Sequence, residues 1–177
     1  MSWLQHASLW SIRMSVACML AAYWLQIRTG NRSQRELLWF WWAGFALAAL
    51  HTVSALWAFH GGSHAAAVQA TADKTEAWFG WRFGAGVYVN YAFVLVWGVD
   101  GLARSGRWGP GPVWLQRTID AFLIFVAING AIVFAQGPVR WLSVAGVLLV
   151  MVAWWRSTAR GRQGARLESG ESRSDEP

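Results

Sequence analysis

The chain has few of the residues from which soluble active sites are usually built. It contains one cysteine, Cys18, in 177 residues, which excludes an intramolecular disulfide and any cysteine-based zinc or cluster motif. Charged residues make up 14%, against about 25% in an average soluble domain. No P-loop, no His-Glu-x-x-His and no intramembrane pair of acids occurs, so the chemistries those motifs carry have no anchor here. Gly61-Gly62-Ser63-His64-Ala65 lacks the final glycine of a nucleophile elbow and follows a helix rather than a strand. Gly84-Ala85-Gly86 has no third glycine of a dinucleotide fingerprint and is better read as close helix packing.

What is present is apolar. Hydrophobic residues reach 55%, mean hydropathy is positive, and there are fifteen Trp. The apolar residues arrive in long runs, which points to lipid as the solvent. Trp favours the membrane–water boundary, and most of the fifteen, Trp41 among them, fall near run ends and read as interface anchors. The net charge of +6 does not indicate nucleic acid, because the basic residues flank the apolar runs and form no basic domain.

The fold class expected is an all-α integral membrane protein. Five spans are read over 8–27, 37–60, 83–103, 118–136 and 139–155, four being the alternative because Gln136-Gly137-Pro138 leaves a tight turn. At 1.5 Å per residue such runs can cross about 30 Å of hydrocarbon. Residues 1–156 form the membrane domain, and 157–177, rich in Gly, Ser, Arg and acids, read as a disordered cytoplasmic tail. Eleven basic residues, from Arg28, Arg32 and Arg35 through Arg104, Arg107 and Arg117 to the tail, fall on one side of this map. The positive-inside rule then places the N-terminus outside and the C-terminus in the cytoplasm, in a membrane of the bacterial inner type. The cluster Arg28, Arg32, Arg35 follows the first run, which is the order of an uncleaved anchor and not of a signal peptide. Asn31-Arg32-Ser33 matches a glycosylation acceptor but lies on the cytoplasmic side of this map and is set aside.

Between the second and third spans a short surface helix is expected over 63–78, with Ser63 as its cap after Gly61-Gly62. On it His64, Val68, Thr71, Thr75 and Trp78 share one face, turned toward the bundle, and Gln69, Asp73 and Glu76 the opposite one.

Ionisable and polar groups at bilayer depth cost roughly 2.5–3.5 kcal/mol when charged, so each needs a partner or a purpose. Arg13, His51, His60, Asn90 and Asn129 all fall in the outer half of their spans, with His64, Thr71 and Thr75 above them. They define an expected ligand pocket in the outer leaflet; ordinary interhelical hydrogen bonds, with Arg13 reaching to the surface, are the alternative account. His6, His60 and His64, completed by Asp73 or Glu76, are the candidate ligands of a divalent metal. Against it, the acids sit on the face away from His64. Haem is the other cofactor considered. His51 and His60 lie about 13.5 Å apart on one helix and cannot share an iron, so a haem would use His51 from two copies of the chain. Nearer the cytoplasmic ends, Asp100 and Arg104 are spaced for an i, i+4 ion pair, and Asp120 can offset Arg117 three residues before it. Ser8, Ser11, Ser15, Cys18 and Ala22 form a small-residue stripe on the first span, a helix–helix contact.

Three functions follow from this reading: a small-ligand or cofactor-binding, redox-accessory membrane protein; a structural or assembly subunit that contacts a membrane partner or its own copies; and an intramembrane enzyme using His51 or His64 as acid and base. Transport ranks lower, since no inverted repeat is visible.

Overall fold

The computed structural model describes residues 2–29, 34–107 and 111–130, with isolated positions at 141, 145, 148, 149 and 152. Among these residues there are five helices and no strand: α1 Trp3–Thr29, α2 Gln34–His60, α3 His64–Phe79, α4 Gly86–Arg104 and α5 Val113–Asn129. Three of them, α1, α2 and α4, are long and apolar enough to cross a membrane.

The five-span map is therefore cut back. α5 starts five residues before the expected span, at Val113, and is described as far as Asn129. The end of the 118–136 span, nearly all of 139–155 and the tail 157–177 lie outside the described residues. α4 begins at Gly86 rather than at 83. The chain before it is folded back on α3, with the Thr75 hydroxyl 2.9 Å from the Phe83 carbonyl.

α1 and α2 form a tight antiparallel pair because both present small residues to the seam. Ser8, Ser11, Ser15 and Ala22 of the α1 stripe are buried, as are Gly44 and Ala48 of α2, and Ser15 Oγ donates to the Gly44 carbonyl at 2.7 Å. The approach is close enough that a methyl group on Gly44 would lie 2.7 Å from Trp97 Cζ2 and 3.2 Å from Cys18 Cβ. α4 packs antiparallel to α2 across this point. Trp41 and Trp97, both 0% exposed, meet edge to face at 5.7 Å, with Tyr23 at 5.5 Å from Trp41 and Phe93 at 5.2 Å from Trp97. Each such pair adds about 0.5–1.5 kcal/mol beyond its buried area. Trp41 is thus a core residue and not the interface anchor expected of it. Trp3, Trp10, Trp24, Trp39 and Trp114 do stay exposed. Leu123, Val126 and Ala127 bring α5 onto the same core.

α3 lies against the junction of α2 and α4. Gly61 and Gly62 adopt positive φ and end α2, a conformation that side chains resist. Ser63 Oγ then accepts from the Ala66 N–H, and Gly80 in the left-handed region closes the helix with its N–H on the Glu76 carbonyl. Gly84 and Gly86 let α4 start in contact with Val68 and Thr71.

Candidate functional site

The residues of the expected outer pocket fall into separate groups. His51 is committed to α1: its Nδ1 lies 2.8 Å from the Ser8 carbonyl and 3.2 Å from Ser8 Oγ. The carbonyl can only accept, so Nδ1 carries the hydrogen. Arg13 stacks on Trp10 of its own helix, guanidinium carbon 5.1 Å from the ring centre. Asn90 is exposed on α4, and Asn129, half-buried, is the last residue of α5. Among the described residues no hydrogen bond links Arg13, His51, Asn90 and Asn129 to one another.

At the α3–α4 junction the structure does bring groups together. His64, the first residue of α3, sits between two phenols one turn apart on α4. Its Nδ1 is 3.1 Å from Tyr91 Oη and its Nε2 3.2 Å from Tyr88 Oη. The imidazole stacks on Tyr91, centroids 5.8 Å apart, and meets Tyr88 edge-on at 5.4 Å. All three side chains are exposed. Thr71 and Thr75 flank the junction, but their hydroxyls are used within α3, on the Ala67 and Thr71 carbonyls, with Phe83 sharing Thr75. Tyr88 and Tyr91 were missed from the sequence as site residues; their spacing of three on a helix facing the His64 edge was the available signal.

The metal triad is not assembled. Among the described residues no three His, Cys, Asp or Glu side chains stand close enough to hold one ion. His6 is exposed on α1 and His60 ends α2. Asp73 and Glu76 are taken by Arg82, at 2.6 and 2.9 Å. Hydrogen bonding to Glu76, and then to Asp73, pushes the Arg82 pKa further up.

A second cluster lies at the other end of the bundle, and four helices build it. Arg104 of α4 ion-pairs through Nε with Asp100 one turn earlier, and its Nη2 donates to Oδ1 of Asp120 on α5 at 2.7 Å. Its Nη1 donates to Gln26 of α1 at 2.9 Å, and its guanidinium carbon rests 4.2 Å from the ring centre of Trp41 on α2. Tyr23 donates to Asp120 Oδ1 at 2.9 Å; Gln116 donates to Asp100 Oδ1 at 2.9 Å and reaches Asp120 Oδ1 at 3.3 Å. Gln34 Nε2 donates to the Arg104 carbonyl. Asp120 was expected to offset Arg117. Arg117 is instead exposed, and the guanidinium facing Asp120 across the α4–α5 seam takes its place. A guanidinium supplies five donors in a fixed fork, which is why one arginine can tie acids from two helices.

Comparison of the chain with protein-family models, curated proteins and solved structures gives no match.

Proposed function

We propose that the chain is a multi-pass membrane protein that binds a small, flat, carbonyl-bearing ligand of the quinone class at its outer face, over the α3–α4 junction. Support for the membrane setting comes from α1, α2 and α4, whose apolar sequences leave most of their residues open to the surroundings, the mark of a helix solvated by lipid. The charge pattern supports five spans with the N-terminus outside and the C-terminus in the cytoplasm of an inner-type membrane. Arg28, Arg35, Arg104, Arg107 and Arg117 then face the cytoplasm and α3 lies outside.

The observation that carries the ligand is the Tyr88–His64–Tyr91 chain. A neutral imidazole donates from one nitrogen and accepts at the other. One tyrosine therefore donates its O–H in a hydrogen bond to His64, and the other accepts from His64 and keeps its own O–H for an outside partner. That hydroxyl is polarised by the chain behind it. Beside it stand aromatic faces for a planar ring. A carbonyl oxygen on a flat ring fits both features.

Titrating the purified full chain with a water-soluble short-chain quinone and following tryptophan fluorescence tests this. Saturable quenching is expected, with affinity falling about tenfold, or about 1.4 kcal/mol, in a Tyr88→Phe/Tyr91→Phe double variant. Equal affinity in both proteins removes the site. Absence of saturable binding leaves the structural-subunit reading standing, which the four-helix Arg104 cluster favours by making the bundle rigid.

A further inference from the structure

The Arg104 cluster has an unbalanced charge. It holds one guanidinium and two carboxylates, so with both acids ionised it carries one net negative charge. Asp100 and Arg104 are 0% and 9% exposed. Among the described residues Arg104 is the one cation within ion-pair distance of either acid. Tyr23 from α1 and Gln116 from α5 face the acids, and Gln26 from α1 with Trp41 and Gln34 from α2 contact Arg104. These are a phenol, an indole and three amides, and none supplies a second positive charge. A net charge held out of water is costly, and neutralisation by a proton is the usual resolution. The Arg82–Asp73–Glu76 group has the same stoichiometry but stands about half exposed, where water and salt screen the excess.

The hydrogen bonds point to one acid. Both oxygens of Asp100 accept, Oδ2 from Arg104 and Oδ1 from Gln116. Asp120 differs. Tyr23, Arg104 and Gln116 all converge on its Oδ1, and among the described residues nothing bonds to its Oδ2. Its side chain is also 24% exposed, so water can reach it. A carboxyl proton needs an oxygen that is not already accepting, and Oδ2 of Asp120 is such an oxygen where neither oxygen of Asp100 is.

We propose that this cluster is a proton-binding site, in which Asp120 Oδ2 takes one proton from the water at the arginine-rich end while Arg104 and Asp100 remain an ion pair. The step is a simple protonation: hydronium gives up a proton and the O–H bond forms on Asp120. Loss of that proton turns the Asp120–Arg104 contact into a second salt bridge, so the grip of α5 on α4 depends on whether the proton is present.

The test is infrared spectroscopy of the full chain in lipid vesicles at neutral pH. One protonated-carboxyl band is expected, shifting on transfer to heavy water. Asp120→Asn removes it. Asp100→Asn removes it as well, because Arg104 and Asp120 then balance without a proton. Lack of any such band in the wild type overturns the proposal, whether or not the variants fold. A band that survives in Asp120→Asn overturns the assignment, and one that survives in Asp100→Asn overturns the charge argument behind it.

Discussion

The two ends of the bundle each hold one arginine between two carboxylates, and the two groups behave as different objects. Near α3, Arg82 bridges Asp73 and Glu76 with all three side chains about half exposed. At the opposite end Arg104 bridges Asp100 and Asp120 inside a seam of four helices, with Asp100 fully buried. The count of charged groups is the same; solvent is not. Exposed pairs exchange good hydration for modest attraction and contribute little. A buried group is costly to assemble, and removing one member leaves the remaining charge with neither water nor partner.

The largest effect should therefore come from Arg104→Ala. Leaving two acids in the seam is expected to cost about 3–5 kcal/mol, read as a loss of resistance to denaturant in mixed micelles. Arg82→Ala is the matched control. Its effect should be small and should vanish at high salt, because the screening length falls to about 3 Å at 1 M. Equal effects from the two substitutions would mean that burial does not separate these groups.

A smaller effect is expected at Gly44, where the comparison is between seam and surface rather than between charges. The Cβ of Gly44→Ala would meet the ring of Trp97 at 2.7 Å, and Trp97 is enclosed by Phe93 and Trp41. Overpacking of this kind costs about 1–3 kcal/mol. Gly106, with nothing within 4 Å of an added Cβ but a φ of +75°, would respond through backbone strain alone. Thermal unfolding of Gly44→Ala at the wild-type midpoint would show that α1, α2 and α4 can separate slightly at no cost, contrary to the packing described.

Much of this architecture was readable because it is local. The apolar lengths of α1, α2 and α4, the small stripe from Ser8 to Ala22 and the i, i+4 spacing of Asp100 and Arg104 are all written within single segments. What was hidden depends on how one helix is rotated against another. In Trp39-Phe40-Trp41-Trp42 every position is apolar, so periodicity cannot choose which ring goes inward. Gly44 and Ala48, three and seven residues after Trp41, mark the buried face of α2 and hold the signal that singles it out. Asp120 seemed to have a partner in Arg117 on its own helix, where Gln116 also stands one turn before it; nothing local indicates that Arg104 and Tyr23 converge on it. The candidate residues at the α3 end were found in part. His64 stood out as a rare ionisable group, whereas Tyr88 and Tyr91 passed for packing residues because phenols serve both purposes.

The smallest effect, and the most local, belongs to the helix cap at the α3 end. Ser63 Oγ accepts from the Ala66 N–H at 3.2 Å, satisfying one of the four amides that a helix start leaves open. Ser63→Ala should cost about 1 kcal/mol and Ser63→Gly only a few tenths, since glycine tolerates the cap backbone and lets water reach the amides. The loss should fall on α3 alone. This helix buries little more than Ala67 and Ala72 and is tied down by surface contacts, whereas α1 and α2 share a long buried seam. Amide hydrogen exchange resolves the difference. In Ser63→Ala the amides of α3 should exchange about fivefold faster, as 1 kcal/mol of easier opening requires, with those of α1 and α2 unchanged. Faster exchange across all helices would mean that α3 opens only with the whole bundle, and the contrast between a loosely attached α3 and a locked charged end would be lost.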